Sequence, residues 1–166
     1  MSEASSKKKD PTESADAALS VKMRDDWDRR IKHDYRFWMS ESHSSDEEMF
    51  ESGQRDLDIL TKDIPHRATL IACELGCGVG RLLHAASSIF KHTYGVDVSE
   101  EGIAKGKELL SSYKNITFLK GDGLSLPLED ASVDLIFSFA SLVCMPVDVI
   151  AGYLAQTNSC GTSCSG

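Results

Sequence analysis

Glu74-Leu75-Gly76-Cys77-Gly78-Val79-Gly80 is the stretch on which the fold turns. An apolar run, residues 69–75, leads into it. An amphipathic run, residues 81–90, leads out, with Leu82, Leu83, Ala86, Ile89 and Phe90 at helical spacing. The segment therefore reads as strand, glycine turn, helix. Glycine is needed where a chain turns sharply and where a ligand must reach the backbone without meeting a Cβ. The helix that follows presents free amides and the positive end of its dipole. A turn of this kind fits dinucleotide sites, other ligand sites and plain tight turns alike.

Spacing narrows the choice. A dinucleotide fingerprint requires Gly-x-Gly-x-x-Gly, whereas this turn runs Gly-x-Gly-x-Gly and places Arg81 where the third glycine belongs. A bulky residue there would spoil the tight helix-to-strand packing of a dinucleotide fold. No Gly-Lys-Ser/Thr follows, so a phosphate loop is excluded as well.

Outward from the turn, the pattern repeats. Residues 93–97 read as a second strand, 100–113 as a helix with Ser99 placed to cap it, 116–120 as a third strand and 133–139 as a fourth. Strands alternating with short helices predict an α/β domain, a doubly wound parallel sheet with right-handed crossovers. Upstream, Trp27, Ile31, Tyr35 and Trp38 mark one face of a helix over 21–39. After an acidic, serine-rich break, a second helix is expected over 49–62, with Leu57, Leu60 and Ile64 as its apolar stripe and Pro65 at its end.

Two acids fall where such a sheet binds ligands, at carboxyl ends of strands. Asp97 ends the second strand, 17 residues after Gly80, beside the glycine turn, where a carboxylate can accept both hydroxyls of a ribose. Asp122, between Gly121 and Gly123, follows the third strand and could accept from a base amino group, although Asp-Gly is also ordinary turn chemistry. Three features on one sheet edge outweigh any one of them.

Composition excludes several classes. The formal net charge of −8 disfavours nucleic acid, since phosphate neutralisation needs clustered Lys and Arg, and no Lys or Arg follows Lys120. No apolar run reaches the roughly 20 residues of a membrane span, and the N-terminus lacks the apolar stretch of a signal peptide. The five cysteines are expected to be reduced thiols of a cytoplasmic protein, the short Lys7–Lys9 run being compatible with a nuclear one too. Zinc is disfavoured, because Cys73 and Cys77 straddle a strand end and no His stands at finger spacing.

With these features assembled, the chain resembles the class I S-adenosylmethionine-dependent methyltransferase family. Residues 70–81 look like its first motif, 94–99 like its second and 121–138 like its third. The resemblance implies S-adenosyl-L-methionine as cofactor. It assigns Glu74, Gly76, Gly78 and Gly80 to the methionine part, Cys77 to the cofactor site with them, Asp97 to the ribose, Val98 to packing on adenine, Asp122 and Gly123 to the adenine edge, and Ser138 to the neighbourhood of the methyl donor. It nominates no catalytic residue and no metal. The implied organisation is a tail over 1–18, a helical lid segment over 19–64, the cofactor domain over 65–155 and a second tail over 156–166. Only the first four of the family's seven strands are expected, leaving an apolar fourth-strand edge through which the chain could pair with itself or a full-length relative. This chain is therefore expected to be a truncated methyltransferase with weak or no activity of its own. A non-catalytic partner-binding module and an NAD-binding half are the alternatives, and the acceptor stays open.

Overall fold

The computed structural model describes residues 11–39 and 45–160, and side chains for 18–39 and 45–156. Its elements are α1 (Pro11–Met39), α2 (Asp46–Thr61), β1 (Ile71–Leu75), α3 (Arg81–Ile89), β2 (His92–Asp97), α4 (Glu100–Leu109), β3 (Ile116–Lys120), β4 (Leu135–Phe137) and α5 (Val147–Cys160). The four strands are parallel in the order β3-β2-β1-β4. This is the Rossmann-like doubly wound sheet that the alternating pattern predicts.

Strand alternation divides the core. Ala72 of β1 packs with Leu82, Ala85, Ala86 and Phe90 of the α3 side and with Leu57 of α2. Its neighbours Cys73 and Leu75 face the other way, onto Val96, Val133, and Val149 and Tyr153 of α5. Each fully buried Leu or Met here contributes roughly 1.5–3 kcal/mol. Helix α2 approaches α3 through a glycine, since a Cβ at Gly53 would collide with the carbonyl of Arg81. Ser99 caps α4 by accepting from the Gly102 amide at 2.9 Å.

Several expectations shift. α1 starts at Pro11, ten residues before the expected start at Val21, because proline suits a helix's first turn and Ala15, Ala17 and Ala18 follow it. Residues 11–18 are thus helical, and the rest of the expected N-terminal tail lies outside the described residues. α1 is also interrupted: Asp34 is extended, and its carboxylate accepts from the Arg36 and Phe37 amides, so a short second helix restarts there. α2 begins at Asp46 because Ser45 caps it by accepting from Glu48. Its buried stripe is Met49, Gly53, Leu57 and Thr61, whereas Leu60 is exposed, because Leu60 lies one position round the helix from the face that meets α3. α5 continues through residues 156–160, where a tail was expected to begin. Gln156 ties the helix to the loop before β4, accepting from Leu126 at 2.9 Å and donating to the Leu124 carbonyl at 3.1 Å. Residues 161–166 lie outside the described residues. Strand β4 pairs with β1 alone among the described residues, and its three residues are half-buried.

Candidate functional site

The carboxyl ends of β1 and β2, roofed by α1, form an open cleft whose empty volume, counting the solvent at its mouth, is about 910 Å³. Its floor is Glu74. In register with Gly95 and Phe137, this residue points to the α3 side of β1 and is only 3 % exposed. Its Oε2 is buried without a hydrogen-bond partner. Burial holds the carboxyl well above the usual range, against the pull of Arg81 and with a further push from Asp97. Arg81 does not cancel that charge by contact: its Nη1 bonds Asp56 at 2.6 Å and the Ser52 hydroxyl at 3.0 Å, with the guanidinium over the Phe139 ring. Arg81 is therefore accommodated by turning away from the sheet toward α2.

The glycine turn folds onto the end of β2. The Gly76 and Cys77 amides both donate to the Val96 carbonyl, at 2.8 and 3.1 Å. Asp97 completes the clasp, accepting from the Gly78 amide at 2.7 Å through Oδ2 and from the Ser99 amide at 2.8 Å through Oδ1. Burial raises its pKa, and these amides oppose the rise. Gly78 has φ +53°, and a Cβ there would strike the Met39 thioether of α1. Gly80 faces inward instead: with φ +85°, its missing Cβ makes room for Leu110 and Phe118. It thus provides the tight helix-to-strand approach one residue earlier than a dinucleotide fold would, which is why Arg81 is tolerated after it.

Of the residues assigned to the cofactor from sequence, Glu74, Gly76, Cys77, Gly78, Asp97 and Val98 line the cleft together. The Cys77 side chain turns inward onto Leu83 and Phe118, and burial pushes its thiol well up, so it contributes backbone rather than a nucleophile. Gly80, Asp122, Gly123 and Ser138 are not among the lining residues. The Asp122 carboxylate is used by its own loop, accepting from the Leu124 and Ser125 amides and the Ser125 hydroxyl at 2.7–2.8 Å; burial raises its pKa, but these bonds prevail and lower it. Gly123 lies against Val98 and Ser20, and Ser138 donates to the Leu75 carbonyl at 2.8 Å.

Other lining residues escaped the sequence reading. Ser141 donates to the Gly76 carbonyl at 2.8 Å, brought there by Ala140 in the left-handed region at φ 58°. Tyr153 closes the α5 side, its phenol pushed up to about 12 by burial and by the charges of Asp122 and Asp97. Met39 covers Gly78. An alanine before a serine carries no signal of such a turn, and a lone Met on an aromatic helix reads as core.

A glycine turn between β1 and α3 and an acid at the end of β2 thus meet at one edge of a Rossmann-like sheet. Residues 72–160 match the family described as Methyltransferase domain. The chain belongs to that family, the class I S-adenosylmethionine-dependent methyltransferases, whose cofactor is S-adenosyl-L-methionine. It is 33 % identical over 123 residues to phosphoethanolamine N-methyltransferase 1 of Triticum aestivum, covering 67 % of this chain and 24 % of that one. It is 35 % identical over 80 residues to demethylmenaquinone methyltransferase of Staphylococcus aureus strain MRSA252, covering 46 % and 33 %. Its fold is that of phosphoethanolamine N-methyltransferase 1 of Haemonchus contortus, solved with phosphoethanolamine and S-adenosylhomocysteine (TM-score 0.67, 21 % identity, 87 % of this chain and 29 % of that one). The chain thus spans about a quarter to a third of the length of these curated relatives.

The residues present suit the cofactor. An unpartnered buried carboxylate oxygen suits an ammonium, Asp97 suits a diol, and Val98 with the α1 aromatics offers apolar cover to a base.

Proposed function

We propose that this chain binds S-adenosyl-L-methionine along the ends of β1 and β2 and uses it to methylate a small-molecule acceptor. The observation that carries the reading is the pairing, in one cleft, of the orphaned Glu74 oxygen with Asp97. Bound there, the cofactor would supply a methyl group made electrophilic by a sulfonium. The chain's own part is alignment: Glu74 would hold the ammonium, Asp97 the ribose hydroxyls, and α1 would act as a lid that excludes water. Asp122 would serve the adenine edge by shaping the loop beside Val98, with its carboxylate occupied. Ser138 would act at one remove, by fixing the strand end ahead of Phe139. A small acceptor is favoured because the curated relatives are named for small molecules, phosphoethanolamine and demethylmenaquinone.

Calorimetric titration with S-adenosylhomocysteine tests this, with NAD as the competing ligand. Binding of the former alone, lost in Asp97→Ala, is the expected result. No heat from a folded chain, or binding of NAD, would refute it.

A second reading has its own observation. The outer edge of β4 has no partner strand among the described residues, and Val143 and Val147 beyond it are 86 % and 78 % exposed. That favours pairing through this side, with a second copy or a longer relative, as a non-catalytic role for the chain.

A further inference from the structure

α1 touches all three strand-end segments in turn. The Ser20 hydroxyl donates to the Asp122 carbonyl and lies against Gly123, after β3. Asp28 reaches the start of α4, after β2, and Met39 covers Gly78, after β1. Between these points Met23, Trp27 and Ile31 roof the cleft, with Trp38 beside Met39. A ligand seated along the strand ends therefore lies beneath α1.

We propose that Asp28 is a positioning residue that latches α1 across this edge and sets the rate at which cofactor enters and leaves. The inference rests on the reading that the edge binds S-adenosyl-L-methionine. Asp28 Oδ1 accepts twice, from the Ser99 hydroxyl at 2.6 Å and from the Glu101 amide at 3.1 Å. The Ser99 hydroxyl itself accepts from the Gly102 amide, so its single proton is committed to Asp28. Asp28 thus shares the capping of α4 with Ser99, where a carboxylate gains from free amides and from the helix dipole.

The other α1 contacts are of different kinds. Lys32 pairs with Glu101 at 3.1 Å, but both side chains are largely exposed, and such pairs contribute little. Ser20 makes one bond at the surface, and Ile31, Met39 and the tryptophans hold α1 by apolar contacts, which are not directional. Among the described residues, Asp28 is the part-buried carboxylate that ties α1 to the start of α4, by two charge-assisted bonds. It does so through Ser99, whose backbone amide is held by Asp97. One residue therefore joins the latch to the carboxylate assigned to the ribose.

The roof carries its own probe. The chain has two tryptophans, Trp27 and Trp38, and both are on α1 in the cleft. Stopped-flow tryptophan fluorescence during mixing with S-adenosylhomocysteine would give association and dissociation rates for wild type, Asp28→Ala and Asp28→Asn. Loss of the latch in Asp28→Ala should raise both rates by about tenfold, the scale of a lost capping bond, while Kd moves less than either rate. Asp28→Asn keeps an acceptor oxygen but loses the charge, so its rates should fall between those of wild type and Asp28→Ala. In ligand-free protein, trypsin should cut α1 at Lys22, Arg24 or Arg29 about tenfold faster in Asp28→Ala, as expected when a capping bond no longer opposes local opening.

Unchanged rates in Asp28→Ala would overturn the proposal. So would slower association with a weaker Kd, which indicates a damaged cleft rather than a released latch. If wild type binds no S-adenosylhomocysteine, the binding reading fails by itself, and equal tryptic rates would then overturn the latch.

Discussion

Glu74→Gln preserves the shape of a buried side chain and removes its charge, so stability and ligand affinity should move in opposite directions. In the ligand-free protein, Oε2 is buried without a partner, and leaving such a group unmade costs about 1–3 kcal/mol, more when it is charged. Gln brings two donors of its own that need partners, so the net gain should be about 1–2 kcal/mol. For a chain of this size that is roughly 3–6 °C in Tm. The gain depends on pH in a set direction. Burial raises the folded pKa of Glu74, so the folded state holds more protons than the unfolded one between the two values. Stability contributed by this site is therefore greatest below the ordinary glutamate pKa and falls as pH rises toward the raised one. The Gln variant escapes that fall, and the Tm difference should grow from near zero in mild acid to its full size at neutral or alkaline pH. Asp97 is raised in the same sense and leaves a residual slope in both proteins.

Binding should show the reverse. A ligand ammonium on Glu74 would favour its charged form and lower its raised pKa, so wild type should release protons on binding S-adenosylhomocysteine wherever the pH lies between the free and bound values, read as a buffer-dependent calorimetric enthalpy. The Gln variant should release fewer, with only Asp97 left to contribute, and bind at least about 30-fold more weakly, which corresponds to roughly 2 kcal/mol. Thermal melts from pH 4 to 8, with titrations in two buffers of different ionisation enthalpy, test all of this. A variant no more stable than wild type at pH 8, with unchanged affinity, would refute the reasoning.

Asp97→Ala leaves the Gly78 and Ser99 amides without their acceptor; beyond lost binding it should lower Tm, by about 1–2 kcal/mol of stability after relief of the buried charge. Gly78→Ala imposes a left-handed alanine and collides with Met39, so it should cost about 1 kcal/mol or more in chemical denaturation and weaken S-adenosylhomocysteine binding. Gly53→Val drives a side chain into the Arg81 carbonyl and should destabilise by about 1–3 kcal/mol in the same assay. If the β4 side mediates pairing, sedimentation velocity should show association rising with concentration, and Val143→Lys with Val147→Lys should reduce it; identical profiles would exclude that face.

The parts of this fold legible in the sequence are those fixed by local physics. β3 falls at Ile116–Lys120 and the α4 cap at Ser99 as read, because a buried strand and a capping serine declare themselves within a few residues. What stayed hidden depends on which surface meets which. The α2 stripe could be assigned to Leu60 or to Thr61 from period alone, and only the docking of Gly53 onto α3 decides for Thr61. The glycine turn illustrates the same division. Its three glycines look alike in the sequence and all have positive φ, yet Gly78 is kept clear on the cleft side and Gly80 on the core side. Spacing excluded a dinucleotide fold through Arg81, but the reason lies in Gly80: by taking over the tight packing against Phe118 one residue early, it frees Arg81 to anchor α2 through Asp56. Arg81 also lies near enough to Glu74 to moderate its charge without bonding it. Arg81, held by Asp56 and Ser52, thus leaves the Glu74 oxygen without a partner while still acting on its charge. An Arg81→Gly exchange should therefore loosen α2 and push the Glu74 carboxyl still higher, without creating a site for NAD.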